Sequence, residues 1–268
     1  MSPSTAPLPE RGIDRLLTVV DRLRGEGGCP WDREQTLETL KPYLVEECYE
    51  VLDALDDGTP EDHAEELGDV LLQIALHARI RGEEGAFTFD DVAHRIADKL
   101  IYRHPHVFGD VDVADSDEVL ANWEQLKAKE KGGRSTLAGI PRHLPALQKA
   151  QRLQSRAARV GFDWDEIRDV AAKIDEELAE TREAMQADDT EHLTEELGDL
   201  LFAVVNLARF SGINAEEALR KTCDKFIRRF QGVEQRVKDN GQVLHECGLK
   251  VLDAHWNAVK DEEKAARR

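Results

Sequence analysis

The pentamer Glu-Glu-Leu-Gly-Asp occurs twice in this 268-residue chain, at Glu65–Asp69 and Glu195–Asp199, each time at the head of an apolar run: EELGDVLLQIALHAR and EELGDLLFAVVNLAR. The likeness extends upstream. LVEECYEVLDAL (Leu44–Leu55) parallels KIDEELAETREAM (Lys173–Met185), and both carry Glu-Glu-x-x-Glu. Glu47 and Glu177, Glu50 and Glu180, Glu66 and Glu196, and Asp69 and Asp199 are each 130 positions apart. Lys99 and Arg103 match Lys225 and Arg229 at 126, and Trp123 and Lys127 match Trp256 and Lys260 at 133, drifts that loop-length changes explain. The period is far longer than that of a solenoid repeat. The chain therefore reads as two copies of one domain, residues 12–130 and 148–263. The linker is KGGRSTLAGIPRHLPAL, residues 131–147, marked by three glycines and two prolines.

Each copy has helical period. Apolar residues fall at 44, 45, 48, 51, 52 and 55 in the first, and at 197, 200, 201, 204, 205, 207 and 208 in the second. No segment alternates with period two, so the expected fold is all-α, with four or five bundled helices per copy. The formal net charge of −19 argues against a nucleic-acid partner, which would need a basic footprint. The four cysteines form no CxxC pair and read as reduced thiols. The N-terminal tail lacks the apolar core of a signal peptide, and the longest apolar runs are too short to span a bilayer. A cytoplasmic protein with no membrane partner is expected.

Residues at i and i+3 share a helix face. Glu177 and Glu180 therefore point together, as do Glu196 and Asp199, and packing of their two helices would bring four carboxylates into one place. Glu47, Glu50, Glu66 and Asp69 repeat the set. Like charges that close repel, and a hard divalent cation, Mg²⁺ or Mn²⁺, resolves the conflict through oxygen-only ligands. A lone ExxE is nearly always a solvated face. The glycine that follows each acidic residue pair, Gly68 and Gly198, adds weight, because a glycine inside a helix costs about 1 kcal/mol relative to alanine. Close helix approach at both is the expectation. Lys225 and Arg229, at i and i+4, could hold phosphates, and Trp256 with Lys260 could stack on a base and neutralise charge. The plainer reading of these four is a charged helix face with a packed tryptophan.

GGCPWDREQTLETLKPYLVEECYEVLDAL (Gly27–Leu55) and IPRHLPALQKAQRLQSRAARVGFDW (Ile140–Trp164), with the doubled ExxE and ExxD, resemble the MazG nucleoside triphosphate pyrophosphohydrolases in their tandem two-domain form, from about residue 12 to 263. The resemblance implies two tandem MazG-type helical bundle domains, similar to the all-α dimeric dUTPases, and a homodimer. It implies Mg²⁺-dependent hydrolysis of nucleoside triphosphates to monophosphate and pyrophosphate, a nucleotide-pool house-cleaning activity. By carry-over, Glu177, Glu180, Glu196 and Asp199 are the metal ligands and catalytic acids, and Lys173, His192, Lys225, Arg229, Trp256 and Lys260 contact the nucleotide or its phosphates.

The copies differ around the acids. Tyr43 stands for Lys173, Asp62 for His192 and Leu76 for Asn206, each change less suited to an anionic polar ligand. The second copy is thus the expected catalyst, with the first weakly active, regulatory or structural. Three rival readings stay open at this point. A ferritin-like di-metal protein would want Glu-x-x-His, which the acidic set lacks. The others are a non-catalytic nucleotide-sensing or partner-binding module, and a narrower dUTPase- or dCTPase-like enzyme.

Overall fold

The computed structural model describes residues 7–116, 118–119, 122–123, 126, 135–187 and 189–266. All regular structure among them is helical, as the period predicts. The chain divides into two compact units, Met1–Gly132 and Gly133–Arg268. Of the expected linker, residues 131–134 lie outside the described residues; Thr136–Gly139 forms a turn and the next helix starts at Ala146.

Unit 1 holds α1 (Gly12–Arg24), α2 (Pro30–Glu34), α3 (Leu37–Asp57), α4 (Pro60–Glu83), α5 (Phe89–Arg103) and α6 (Pro105–Phe108). Unit 2 holds α7 (Ala146–Ala158), α8 (Ile167–Gln186), α9 (Thr190–Phe210), α10 (Ala215–Asp239) and α11 (Leu249–Ala266), with a 3₁₀ turn at Leu244–Glu246.

The frame of each unit is a helical hairpin that carries both acidic motifs, α3–α4 in unit 1 and α8–α9 in unit 2. A shorter helix lies on the second arm: α1 on α4, and α7 on α9. Both hairpins turn tightly because the sequence caps the second arm at once. Thr59 and Asp62 form a reciprocal capping box on α4. Asp189 accepts the Glu191 and His192 backbone N–H groups at the start of α9. Each satisfies donors that a helix start leaves free.

In unit 1 the space between hairpin and short helix is filled. Val20, Leu40, Ala75, Leu76 and Ile80 form a buried cluster, with Leu16, Leu17, Leu37, Leu72 and Phe89 packed around it. Arg24, whose side chain is almost wholly buried, ties α1 to α4 through Glu83 at 2.9 Å.

The expectation of close helix approach at Gly68 and Gly198 does not hold. Both are exposed, and a Cβ built at either meets nothing within 4 Å. The reason is rotational: two residues along a helix turn about 200°, so each glycine points away from the face on which the preceding glutamate meets its neighbours.

Candidate active site

Three of the four expected ligands converge in each unit. Glu177, Glu196 and Asp199 can place carboxylate oxygens within 4.8 Å of one another, and so can Glu47, Glu66 and Asp69. Glu180 and Glu50 fall outside these groups and are exposed. The second arm of each hairpin contributes both acids of its pair and the first arm only the first of its pair.

The electrostatic strain is visible in the carboxylates. Partial desolvation beside the cluster and then the charges of Glu177 and Glu196 push the exposed Glu180 above the usual carboxylate range. Glu66 is raised by burial and by Glu50 and Asp69, and Glu47 by burial, a hydrogen bond with Glu50 and the Asp69 charge. All donors in both clusters are carboxylate oxygens, the set that suits a hard divalent cation. Both acidic clusters could hold a metal ion.

The units then diverge. In unit 2, Glu177 is only 6% exposed, and Lys173 one turn earlier donates to it at 2.7 Å and to Glu176 at 2.8 Å. These bonds raise the Lys173 ammonium above its usual range, the one to Glu176 most. Thr181 donates to the Glu177 carbonyl at 2.7 Å and approaches that of Glu196 at 3.4 Å, tying the hairpin arms at the cluster. His192 stands 3.5 Å from Glu196. In unit 1, Tyr43 packs edge-on against Trp31 at 6.2 Å instead. Asp62 is committed to its cap, whose hydrogen bonds from Thr59 lower its carboxyl.

Beside the unit 2 cluster lies a cavity of about 630 Å³ between α7, α8 and α9. Lys173, Glu177 and Asp199 belong to its wall, so cluster and cavity share residues. Leu137, Leu153 and Ala157 line it with apolar surface, and Phe162, Trp164 and Phe202 with aromatic surface. Gly161 makes the aromatic approach possible. At φ +85° it adopts the left-handed conformation that side chains resist. There the N–H groups of Gly161 and Phe162 return to the Ala158 and Ala157 carbonyls, and the chain turns back towards the hairpin.

Lys225, Arg229, Trp256 and Lys260 sit apart from this wall, on α10 and α11. Arg229 is held by Glu263 at 2.8 Å and lies over the Trp256 ring at 5.8 Å. Trp256 also packs on Phe226 with ring centres 5.2 Å apart.

The residues that sequence reasoning missed are Gln154, Phe162, Asp163, Trp164, Phe202 and Arg209. The available signal was a clump of two aromatics around an acid straight after a glycine, at Gly161–Trp164. Asn206, noticed only as a difference between the copies, lies in the cavity wall.

Comparison with known proteins agrees with this architecture. The profile of the MazG nucleotide pyrophosphohydrolase domain matches residues 35–108 and again 166–233. The chain is 46% identical over 257 residues to a Thermotoga maritima protein named nucleoside triphosphate pyrophosphohydrolase/pyrophosphatase MazG, covering 94% of this chain and 98% of that one. It is 50% identical, with the same coverage, to the nucleoside triphosphate pyrophosphohydrolase of Escherichia coli K12. It is 40% identical over 186 residues to the Mycobacterium tuberculosis protein of that name, covering 66% of this chain and 56% of that one. The chain therefore belongs to the MazG nucleotide pyrophosphohydrolase family and carries the family's domain twice.

Proposed function

We propose that this chain hydrolyses nucleoside triphosphates to nucleoside monophosphate and pyrophosphate, and that unit 2 carries the reaction with Mg²⁺ as cofactor, Mn²⁺ being able to replace it. The observation that carries the reading is the shared wall of the acidic cluster and the cavity. An aromatic and apolar cavity suits a nucleobase. A triphosphate cannot approach three carboxylates unless a cation intervenes, and the all-oxygen donor set fits one. Glu177, Glu196 and Asp199 would hold that cation, with Glu180 at the margin. When bound, such a cation polarises phosphoryl oxygens and acidifies water.

The protein's own groups supply the rest. Lys173 stands between cluster and cavity, where a phosphate oxygen can compete with Glu176 and Glu177 for its ammonium. His192 flanks Glu196 at 3.5 Å, one turn nearer the hairpin connection and outside the cavity wall. A glutamate of the cluster takes the proton of the attacking water. Lys225, Arg229, Trp256 and Lys260 lie outside the cavity wall, so their proposed part is with the phosphate chain, where Lys225 and Arg229 offset charge on the departing pyrophosphate.

The proposed working form is a cytoplasmic homodimer that cleanses nucleotide pools and binds neither nucleic acid nor membrane. Its domains are residues 12–130 and 148–263. Support for a second copy comes from Leu197, Leu201 and Val204, an exposed apolar stripe at i, i+4 and i+7 on α9. No helix among the described residues is long and apolar enough to cross a membrane.

The test is release of pyrophosphate and orthophosphate, counted separately, from a panel of NTPs and dNTPs with Mg²⁺. Wild type, Glu66→Ala and Glu196→Ala are compared. Pyrophosphate release lost only in Glu196→Ala supports the reading. Binding without turnover would favour a nucleotide sensor, and turnover of a single pyrimidine dNTP would favour the narrower enzyme.

A further inference from the structure

One end of the cavity wall is built around a single guanidinium. Arg209, on α9, donates through Nη1 to Asp163 Oδ2 at 3.0 Å and through Nη2 to Asp163 Oδ1. Its Nε donates to Asn206 Oδ1 at 2.9 Å. Asp163 and Asn206 therefore stand on adjacent edges of one rigid planar group, and all three residues belong to the cavity wall. Each partner of Arg209 keeps one position open. Asp163 Oδ1 also accepts the Trp164 N–H at 2.9 Å, whereas Oδ2 takes Arg209 alone. A carboxylate offers about four acceptor sites, so Oδ2 has one left, on a side chain that is 28% exposed. With its Oδ1 held, Asn206 leaves Nδ2, a donor, without a protein partner among the described residues. Asn206 is only half-buried, and Nδ2 is not among the unpartnered atoms sealed from solvent.

The place of this pair follows from α9. Asp199, Ala203 and Asn206 come at i, i+4 and i+7, on one face of the helix, and all three line the cavity. Seven residues rise about 10 Å. A nucleotide with its phosphates at the Asp199 end carries its sugar next along this face, with only the Ala203 methyl between. Phe162 and Trp164, on either side of Asp163 in the chain, are left to face the base. A sugar hydroxyl is donor and acceptor at once. It can donate to Asp163 Oδ2 and accept from Asn206 Nδ2, and carboxylates hold sugar hydroxyls in other nucleotide sites.

We propose that Asp163 and Asn206, oriented by Arg209, form a sugar-hydroxyl subsite: Asp163 accepts from a 2′- or 3′-hydroxyl and Asn206 donates to one. The proposal rests on the hydrolase reading above and deepens it by naming a part of the substrate that is read outside the acidic cluster. None of the three residues belongs to that cluster.

The experiment measures kcat/KM for pyrophosphate release from ATP, 2′-deoxy-ATP and 2′,3′-dideoxy-ATP with Mg²⁺, in wild type, Asp163→Ala and Asn206→Leu. The three substrates share base and triphosphate and lose one hydroxyl at a time. In wild type, removing the hydroxyl that occupies the subsite should lower kcat/KM by about tenfold or more, since a hydrogen bond to a charged group is lost. The drop falls between ATP and 2′-deoxy-ATP if the 2′-hydroxyl is read, and between 2′-deoxy-ATP and the dideoxy substrate if the 3′-hydroxyl is. In Asp163→Ala that drop should shrink to about twofold or less, and in Asn206→Leu it should also shrink. A variant that only loosens the cavity lowers all three substrates by one factor and keeps the wild-type drop, and that result in both variants would overturn the subsite. Wild-type turnover of all three substrates alike overturns it too, and leaves the hydrolase reading standing. No pyrophosphate release by wild type from any of them overturns the hydrolase reading and the subsite together.

Discussion

Units 1 and 2 have the same hairpin and the same acids, yet between hairpin and short helix unit 1 packs a buried cluster and unit 2 holds a cavity. The ninth residue of the 13-residue helix α1 is Val20, and the ninth of the 13-residue helix α7 is Gln154. Seven residues past its last acid, unit 1 buries Leu76 and unit 2 has Asn206. One turn before its first acid, unit 1 has Tyr43 packed on Trp31, while unit 2 has Lys173 bonded to Glu177. Burying a Leu or Val contributes about 1.5–3 kcal/mol, which unit 2 forgoes at two of these places. The difference teaches that a duplicated acidic motif is not by itself a duplicated site. The cluster survives in both copies because it lies on the hairpin, whereas the room for a ligand depends on three side chains around it.

The largest effect should come from the cluster. Glu177→Gln should lower kcat/KM for pyrophosphate release by about 10³-fold or more, roughly 4 kcal/mol of transition-state stabilisation. Glu47→Gln should stay within about twofold. Equal losses would erase the functional distinction between the units.

Leu76→Asn, which gives unit 1 the residue of unit 2, should destabilise the fold by about 3 kcal/mol in denaturant unfolding, because it strands a polar group in a packed cluster. Asn206→Leu should be neutral or mildly stabilising. A harmless Leu76→Asn would mean that the interior of unit 1 also has room.

Mg²⁺ at a hundred times its Kd should stabilise the protein by about 2.7 kcal/mol, seen as a raised midpoint of thermal unfolding. Glu196→Ala should lose this gain. If Glu66→Ala loses as much, the cluster of unit 1 holds the cation equally well.

A smaller effect concerns the two ion-pair tethers, one in each unit. Arg209 holds the Asp163 carboxyl below its usual range by hydrogen bonding, and Arg24 does the same to Glu83. A lowered carboxylate stabilises the fold above its unfolded-state pKa and loses that contribution as pH falls through the folded one. Wild type should exceed Asp163→Asn by about 1 kcal/mol at pH 7, and the gap should hold to about pH 4 and close below it. Glu83→Gln should show the same sign in unit 1. A gap that widens in acid would contradict the assigned pairing.

The smallest expected change is at the glycines. With open space at Gly68 and Gly198, alanine at either should add about 0.5–1 kcal/mol to stability through helix propensity. A loss at only one would show that another surface covers that unit's hairpin.

Much of this molecule was legible before its structure. The 3.6-residue period, the 130-residue spacing and the paired acids are local properties of the chain, and they determined an all-helical fold, its duplication and the residues of the acidic clusters. The caps that turn the hairpins, Thr59–Asp62 and Asp189, are also local, acting within one turn, though no cap figured among the expectations. The expectation at the glycines failed because a helix position does not say what stands opposite it. Gln154 gave no signal, since a glutamine on an amphipathic helix reads as solvated until its neighbours are known. What only the tertiary structure decided was which three carboxylates meet, where the aromatic loop after Gly161 lands, and that Leu76 fills a space which Asn206 leaves open. The physical reason is one of range: period and capping act over a few residues, whereas a cavity is the space left by side chains from three helices, and its donors and acceptors are defined by partners far along the chain, as Asp163 is by Arg209, 46 residues away.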